Sequence, residues 1–188
     1  MNDPSPLYVT ETGLALMRAR VDAARAAFKS VCDDNPAARE SGDSSVWHDN
    51  FAFEENQRLM HQLATRIREL ETALARAALV TPPEAVPTRV VIGTRVVYAI
   101  DGERTRRTCT VVGHGEGRPE LRCAAYDSPL GAALLGARTG DEVELVLSGR
   151  ACVGTVLAIE LADRALFSER STAGGSPTTS DLSREVAP

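Results

Sequence analysis

Two stripes of apolar residues, each recurring at spacings of three and four, predict a pair of long helices in the N-terminal half of the chain. The stripes are Leu14, Met17, Val21, Ala24, Phe28 and Val31, then Leu59, Leu63, Ile67, Leu70, Leu74 and Ala78. Thr10 or Thr12 can cap the first helix. Because each stripe covers one helix face, we expect the helices to pack antiparallel as a hairpin over residues 1–80.

The helical spacing of apolar residues stops at a proline-rich linker at residues 81–87, which ends the second helix. The apolar runs after it are shorter. Short β-branched or alternating runs between Gly-containing turns then predict strands. The runs are Arg95–Ile100, Arg107–Val112, Glu120–Ala125, Glu142–Leu147 and Ala151–Leu161. One short helix is predicted at Ser128–Gly136, with Ser128 as its cap and Pro129 first in the helix. The fold class is therefore α+β, a helical hairpin followed by a small antiparallel β domain at residues 88–163.

The remaining sequence narrows the class of protein. Residues 164–188 are rich in Ser, Thr, Gly and Pro with few large apolar side chains, so we expect a disordered tail. The four cysteines lack the C-x-x-C spacing of a zinc site. No apolar run approaches the roughly 20 residues that cross a bilayer, and the N-terminus lacks a signal-peptide pattern. We expect a cytoplasmic protein without a membrane partner.

Charge is concentrated between the two predicted helices. The chain has a net charge of −5 and a pI near 5.3, which argues against binding nucleic acid by bulk charge. Residues 33–55 hold seven carboxylates and one arginine, a more negative balance than that of the whole chain. Carboxylates suit Mg²⁺, and one or two of them brought into another enzyme's active site can complete a two-metal centre. A solvated acidic turn at residues 39–50 is the simpler interpretation.

Basic residues outnumber acidic ones along the two predicted helices outside this tip, and Arg58 and Arg66 lie on the second. Such charges often form only a solvated face. A long helical pair also occurs as a dimerisation coiled coil, although we expect a monomer. A hydrolase is poorly supported because Ser128 lacks a nucleophile elbow and the three histidines lie on different elements. The segment Gly113–Gly117 is interpreted as a flexible hairpin turn.

The chain resembles the Gre transcript-cleavage factor family over about residues 10–160. The pieces that carry the resemblance are Val9–Gly13, Ala38–Asp43 followed by Asp49 and Asn50, and Ser128–Gly136 followed by Thr139–Val143. The resemblance implies an N-terminal hairpin and an FKBP-like C-terminal domain. It also implies docking of that domain beside the secondary channel of RNA polymerase, with the hairpin entering the channel.

In that family two acids at the tip help position Mg²⁺ and water to cleave backtracked RNA. By motif match these acids are Asp43 and Asp49, acting only within the polymerase complex and touching the RNA 3′ end indirectly. Partner-binding residues implied by the motif are Ser128, Pro129, Leu130 and Gly131, and Arg58 and Arg66 are expected to line the channel. The protein itself would hold no complete active site.

The tip departs from the family pattern. The usual Gly-Asp is followed two residues later by Glu-Asn, whereas five residues separate Gly42-Asp43 from Asp49-Asn50 here. Two functions therefore stay open: a factor that stimulates RNA cleavage, and a channel-binding inhibitor without cleavage activity. A third possibility is that the FKBP-like part binds peptides or isomerises prolyl bonds, for which only Tyr98, Tyr126 and Phe167 supply aromatic surface.

Overall fold

A computed structural model of the chain describes residues 5–33, 50–147 and 149–167. The elements in chain order are β1 (Leu7–Val9), α1 (Glu11–Asp33), α2 (Asn50–Ala75), β2 (Ala77–Leu79), β3 (Thr94–Ile100), β4 (Arg106–Val112), β5 (Cys123–Ala125), α3 (Pro129–Leu134), β6 (Glu142–Leu147) and β7 (Arg150–Leu161). The described residues also include 3-10 helices at Pro119–Leu121 and Arg164–Phe167. The predicted α+β class is confirmed: two long helices precede a mainly antiparallel sheet.

Helices α1 and α2, called the hairpin below, pack along the predicted stripes. Met17 and Val21 are buried, and the other members of the first stripe are half-buried. On α2 the stripe is confirmed from Leu63 to Leu74, but Leu59 is 39% exposed. The less exposed positions in that turn are Asn56 and Met60. The seam is therefore rotated slightly at this point, which spacing alone does not reveal because several phases of a 3.6-residue period fit the same apolar residues.

The second helix ends earlier than the prolines suggested. It stops at Ala75, and Ala78, assigned to the helical stripe, lies in β2. Strand β2 pairs in parallel with β1, which satisfies the backbone groups that the helix would otherwise have used. The Arg76 guanidinium also donates to the Ser5 carbonyl at 2.7 and 3.2 Å. A long-range strand pairing thus competes successfully with local helix propensity at this end.

The C-terminal sheet has the order β5-β4-β3-β7-β6. We call β3–β7 with α3 the sheet unit. All its pairings are antiparallel except β4–β5, where Thr110 lies opposite Cys123 in a parallel register. The predicted antiparallel pairing is wrong at this edge, because after the 3-10 helix Pro119–Leu121 the chain runs alongside the second half of β4 in the same direction. That 3-10 helix also shortens the strand predicted from Glu120.

The main core lies inside the sheet unit. Its fully buried side chains include Val96, Val111, Leu134, Leu145 and Val156. The half-buried Val80, just after β2, packs against the same core. The described end of the chain, Arg164–Phe167, is a 3-10 helix where disorder was predicted. It is capped by the Asp163 carboxylate, which accepts the Ala165 N–H at 2.9 Å. The rest of the predicted tail, residues 168–188, lies outside the described residues.

Candidate functional site

The acidic tip predicted from the sequence, including Asp43 and Asp49, lies outside the described residues. The helices that flank it are described. Helix α1 leaves β1 and runs for 23 residues, about 35 Å at the usual helical rise, to Asp33. Helix α2 returns from Asn50 to β2, next to β1. The two helix ends at Asp33 and Asn50 are therefore the ends distant from the sheet unit.

The two arginines assigned to partner binding on α2 are exposed. The Arg58 side chain is 71% exposed, and its guanidinium lies 4.0 Å from Glu55. The Arg66 side chain is 61% exposed and lies 3.3 Å from Glu69. Exposed pairs of this kind contribute little energy. Both arginines therefore remain able to exchange their intrahelical partners for an external one.

The motif Ser128–Gly131 divides into two structural and two surface residues. The Ser128 hydroxyl accepts the Gly131 N–H at 3.1 Å and donates to the Ala125 carbonyl at 2.7 Å, so it caps α3 and ties it to β5. Gly131 is buried, and a Cβ built there would collide with the Ala125 carbonyl oxygen. Pro129 is exposed and Leu130 half-buried. Pro129 and Leu130 therefore supply the apolar side-chain surface that the motif offers to a partner.

Leu130 forms part of the lining of a groove on the sheet unit with a volume of about 780 Å³. The full lining is Tyr98, Thr105, Arg106, Arg107, Thr108, Cys109, Gly117, Pro119, Arg122, Cys123, Ala124, Ala125, Ser128 and Leu130. We call this set the docking groove. Its floor comes mainly from β4 and β5, to which β3 adds Tyr98, and α3 forms one side. It joins the predicted motif to residues that the sequence did not connect with it.

The floor of the docking groove is uncharged. Burial raises the pKa of the Cys109 thiol to about 11, and burial also raises the pKa values of Cys123 and Tyr98. These groups are therefore protonated at neutral pH. A protonated thiol is a poor nucleophile, so the two cysteines act as small apolar residues. The floor is suited to contact with apolar side chains.

The rim of the docking groove carries three arginines. Arg107 donates to both carboxylate oxygens of Glu103 at 2.9 to 3.2 Å. Arg122 donates to the Thr108 hydroxyl at 3.2 Å. Among the residues that the structure describes, Arg106 forms no ion pair. Since a guanidinium has five N–H donors, all three arginines keep donors for an acidic partner.

Sequence reasoning missed these arginines because they come from β4 and from the turn before β5, and only the parallel β4–β5 pairing brings them together. The available signal was the run Arg104–Arg107, the densest basic segment of the C-terminal half. Within the described ranges no cluster of three His, Cys, Asp or Glu side chains could hold a metal ion. No helix described there is long and apolar enough to span a bilayer.

Comparison with known proteins matches residues 84–161 to the family described as "Transcription elongation factor, GreA/GreB, C-term". The transcription elongation factor GreA of Roseiflexus castenholzii is 33% identical over 156 residues, covering 82% of this chain and 98% of that protein. GreA of Nautilia profundicola is 38% identical over 63% of this chain and 72% of its own length. The crystal structure of Gfh1 from Thermus thermophilus matches with a TM-score of 0.36 and 22% identity, covering 82% of this chain and 99% of that one.

Proposed function

The chain belongs to the GreA/GreB family of transcription elongation factors, and we propose that it binds RNA polymerase and stimulates the polymerase's own cleavage of backtracked RNA. In this proposal the chain is an accessory factor and not itself an enzyme. The observation that carries it is the extent of the match to GreA, which covers 98% of that relative and therefore includes both the hairpin and the sheet unit.

The docking groove supplies the attachment to polymerase. Its uncharged floor and arginine rim suit a segment that presents apolar and acidic side chains together. Arginine pairs with carboxylates through two parallel N–H bonds, which adds specificity as well as affinity. Pro129 and Leu130 extend the apolar surface along one side. We infer that this face, and not the hairpin, provides most of the binding energy.

The hairpin extends away from the sheet unit and would carry the tip into the polymerase. Its two helices reach Asp33 and Asn50, their ends distant from the sheet unit, and Arg58 and Arg66 project from α2 toward solvent. A secondary channel that admits the hairpin would contact these exposed arginines. Because Mg²⁺ binds through one or two carboxylates while it keeps several waters, Asp43 and Asp49 can share an ion held mainly by the polymerase. The RNA 3′ end is then approached indirectly, through the metal and its water.

Inhibition without cleavage is the second candidate, and the spacing of the tip acids favours it. Five residues lie between Asp43 and Asp49, including Trp47 and His48. Catalytic groups act only within about half an ångström of their productive positions, so a displaced acid can leave binding intact while abolishing cleavage. In both candidates the same surface docks, and only the chemistry at the tip differs.

A transcript-cleavage assay on stalled, backtracked elongation complexes tests the proposal. The parent chain is expected to accelerate cleavage, and Asp43→Asn or Asp49→Asn to lower the rate by about 10- to 100-fold while binding persists, because each removes one metal-attracting charge. Glu144→Gln is the matched control, since Glu144 is an exposed acid on β6. No acceleration by the parent, with slower elongation instead, would favour the inhibitor.

The length of the tip separates the two candidates further. Removing three residues between Ser44 and His48 brings the two acids to the spacing usual in the family. Under the cleavage hypothesis the shortened chain cleaves faster than the parent. Under the inhibitor hypothesis it loses inhibition. An unchanged rate in both asparagine variants would exclude the metal role of Asp43 and Asp49.

A further inference from the structure

A buried carboxylate joins the hairpin to the sheet unit. Glu116 is 4% exposed. Its Oε1 accepts the Thr10 backbone N–H at 2.8 Å, and its Oε2 accepts the Thr10 hydroxyl at 2.7 Å. These two bonds connect residues that are 106 positions apart. The sequence placed Glu116 in a flexible turn, but it lies in the contact between the first helix and the sheet unit.

The bonds to Glu116 complete the N-terminal cap of α1. Thr10 directly precedes the helix, and its hydroxyl oxygen accepts the Gly13 N–H at 3.3 Å. In a capping box the third helical residue is Glu or Gln, and its side chain accepts the N–H of the cap residue. Gly13 occupies that third position here and has no side chain. The carboxylate that accepts the Thr10 N–H is supplied by Glu116 instead.

Glycines on both sides leave the space that Glu116 fills. A Cβ on Gly13 would collide with the Glu116 carboxylate, and a Cβ on Gly113 would meet both that carboxylate and, at 2.8 Å, the Val9 backbone. This explains physically why a glycine lies three residues after Thr10, and why another lies three residues before Glu116. Neither glycine has a positive φ, so close approach is the requirement at both positions.

Further contacts surround the bonds between Thr10 and Glu116, a region that we call the junction. The His114 N–H donates to the Tyr8 carbonyl at 2.8 Å, and the rings of Tyr8 and Tyr126 meet edge to face at 5.8 Å. Arg20, farther along α1, donates to the Gly115 carbonyl at 3.3 Å. The turn at residues 113–116 therefore contacts both β1 and the first half of α1. Within this set, the buried side chain of Glu116 is the one that bonds to the helix cap itself.

We infer that Glu116 is a positioning residue, which fixes the direction of the hairpin relative to the docking groove. Its leverage is large because it acts at the base of a helix about 35 Å long. A tilt of about 15° at the base would move the far end by about 9 Å over that length. The consequence for RNA cleavage rests on the proposed function, whereas the consequence for hairpin direction does not.

A helix cap and a positioning link make different demands on Glu116, and a double variant separates them. Glu116→Ala removes both roles. Gly13→Glu combined with Glu116→Ala restores an ordinary capping box within α1 but leaves no carboxylate from the sheet unit. Glu116→Gln is the conservative control, since its amide oxygen still accepts the Thr10 N–H and its NH₂ group can donate to the Thr10 hydroxyl.

Distances between spin labels measure the direction of the hairpin in the full chain. Cys32, exposed in the last turn of α1, carries one label, and an exposed loop position changed by Arg138→Cys carries the other. Cys152→Ser removes the half-buried thiol that could also react. Hydrogen exchange of the first amides of α1 reports the helix cap separately, and it shows whether each variant is folded.

We expect one narrow distance distribution for the parent and for Glu116→Gln. The distribution should broaden or shift by several ångströms for Glu116→Ala, in line with the leverage of the helix, and it should stay broad in the double variant although exchange protection of α1 returns. Recovery of the narrow distribution in the double variant would show that Glu116 is only a helix cap. A narrow distribution in Glu116→Ala would overturn the inference directly.

RNA cleavage adds the functional readout. In a parent that cleaves, Glu116→Ala and the double variant should lose cleavage on the order of 100-fold, since small misplacements of reacting groups have effects of that size, while Glu116→Gln keeps it. Broadened distances with unchanged cleavage would refute the role in positioning the tip. If the parent itself does not cleave, the proposed function fails, and the distance measurements still decide the role of Glu116.

Discussion

Side chains are buried more completely in the sheet unit than in the hairpin. The sheet unit holds side chains with no exposed surface, among them Leu134, Leu145 and Val156. On α1 only Thr12, Gly13, Met17 and Val21 are buried, all in its first half. Every described side chain of α2 is at least partly exposed. Apolar burial therefore decreases from the sheet unit, through the junction, to the outer part of the hairpin.

This difference in burial indicates which part of the molecule provides most of its stability. Hydrophobic burial scales with the apolar area removed from water, so the sheet unit and the junction provide most of the folding free energy. The outer hairpin has one narrow seam between two helices and gains little from it. Under the proposed function, this thin packing is consistent with a narrow shaft that enters the polymerase channel, and the bonds between Thr10 and Glu116 attach its base to the sheet unit.

The largest loss of stability should come from the sheet core. Leu134→Ala removes a side chain that is 0% exposed and is expected to lower the free energy of unfolding by about 2 to 5 kcal/mol, as large-to-small core substitutions do. Denaturant unfolding followed by circular dichroism measures it. Leu135→Ala, next along the chain and 41% exposed, is the control and should change stability by less than about 0.5 kcal/mol.

A smaller but specific loss is expected at the contact between α3 and β5. Gly131→Ala places a methyl group against the Ala125 carbonyl, so α3 must shift, at a cost of about 1 to 3 kcal/mol for overpacking. The same shift should weaken binding to polymerase, because Leu130 moves with the helix. Gly136→Ala is unsuitable as a control because Gly136 has a φ of 82°. Ala132→Ser, on the exposed side of α3, serves instead.

Truncation in the hairpin seam should cost less than truncation in the sheet core. Leu63 is half-buried, so Leu63→Ala is expected to lower the free energy of unfolding by about 1 to 2 kcal/mol, less than the roughly 2 to 5 kcal/mol lost when a fully buried leucine is truncated. A loss as large as that of Leu134→Ala would erase the distinction between the two regions.

The smallest effect concerns the ion pair across the hairpin. Arg25 lies 2.6 Å from Glu71, with the two side chains 58% and 42% exposed. Glu71→Gln should cost only about 0.2 to 1 kcal/mol, as exposed pairs do, and less still in about 1 M salt, where the screening length falls to about 3 Å. A loss that is larger and independent of salt would mean that this pair, rather than the apolar seam, holds the helices together.

Local patterns predicted most of the elements. Helical spacing located α1 and α2, and the Ser-Pro signal located α3 with its cap, because each depends on residues close together in sequence. The errors arose where distant segments meet. The pairing of β2 with β1 ended α2 before Ala78, and the parallel β4–β5 pairing changed one sheet edge.

Contacts between distant segments also limited what the sequence could predict about the candidate functional site. The motif at Ser128–Gly131 was visible in the sequence, but the structural roles of Ser128 and Gly131 follow from their contacts with Ala125. The arginine rim and the bond from Thr10 to Glu116 join residues far apart in the chain. No local period or propensity signals such contacts, and the reason for a glycine at position 13 follows only from the position of the Glu116 carboxylate.

A titration of RNA cleavage against factor concentration, on one preparation of backtracked polymerase, tests the division between docking and chemistry most directly. Arg106→Glu combined with Arg122→Glu should raise the half-saturating concentration about 10-fold or more, since it reverses the charge of the rim, and leave the maximal rate unchanged. Asp43→Asn should lower the maximal rate and leave half-saturation unchanged. The opposite pattern, with groove variants limiting the maximal rate and tip variants limiting saturation, would contradict the assignment of binding to the sheet unit and of chemistry to the tip.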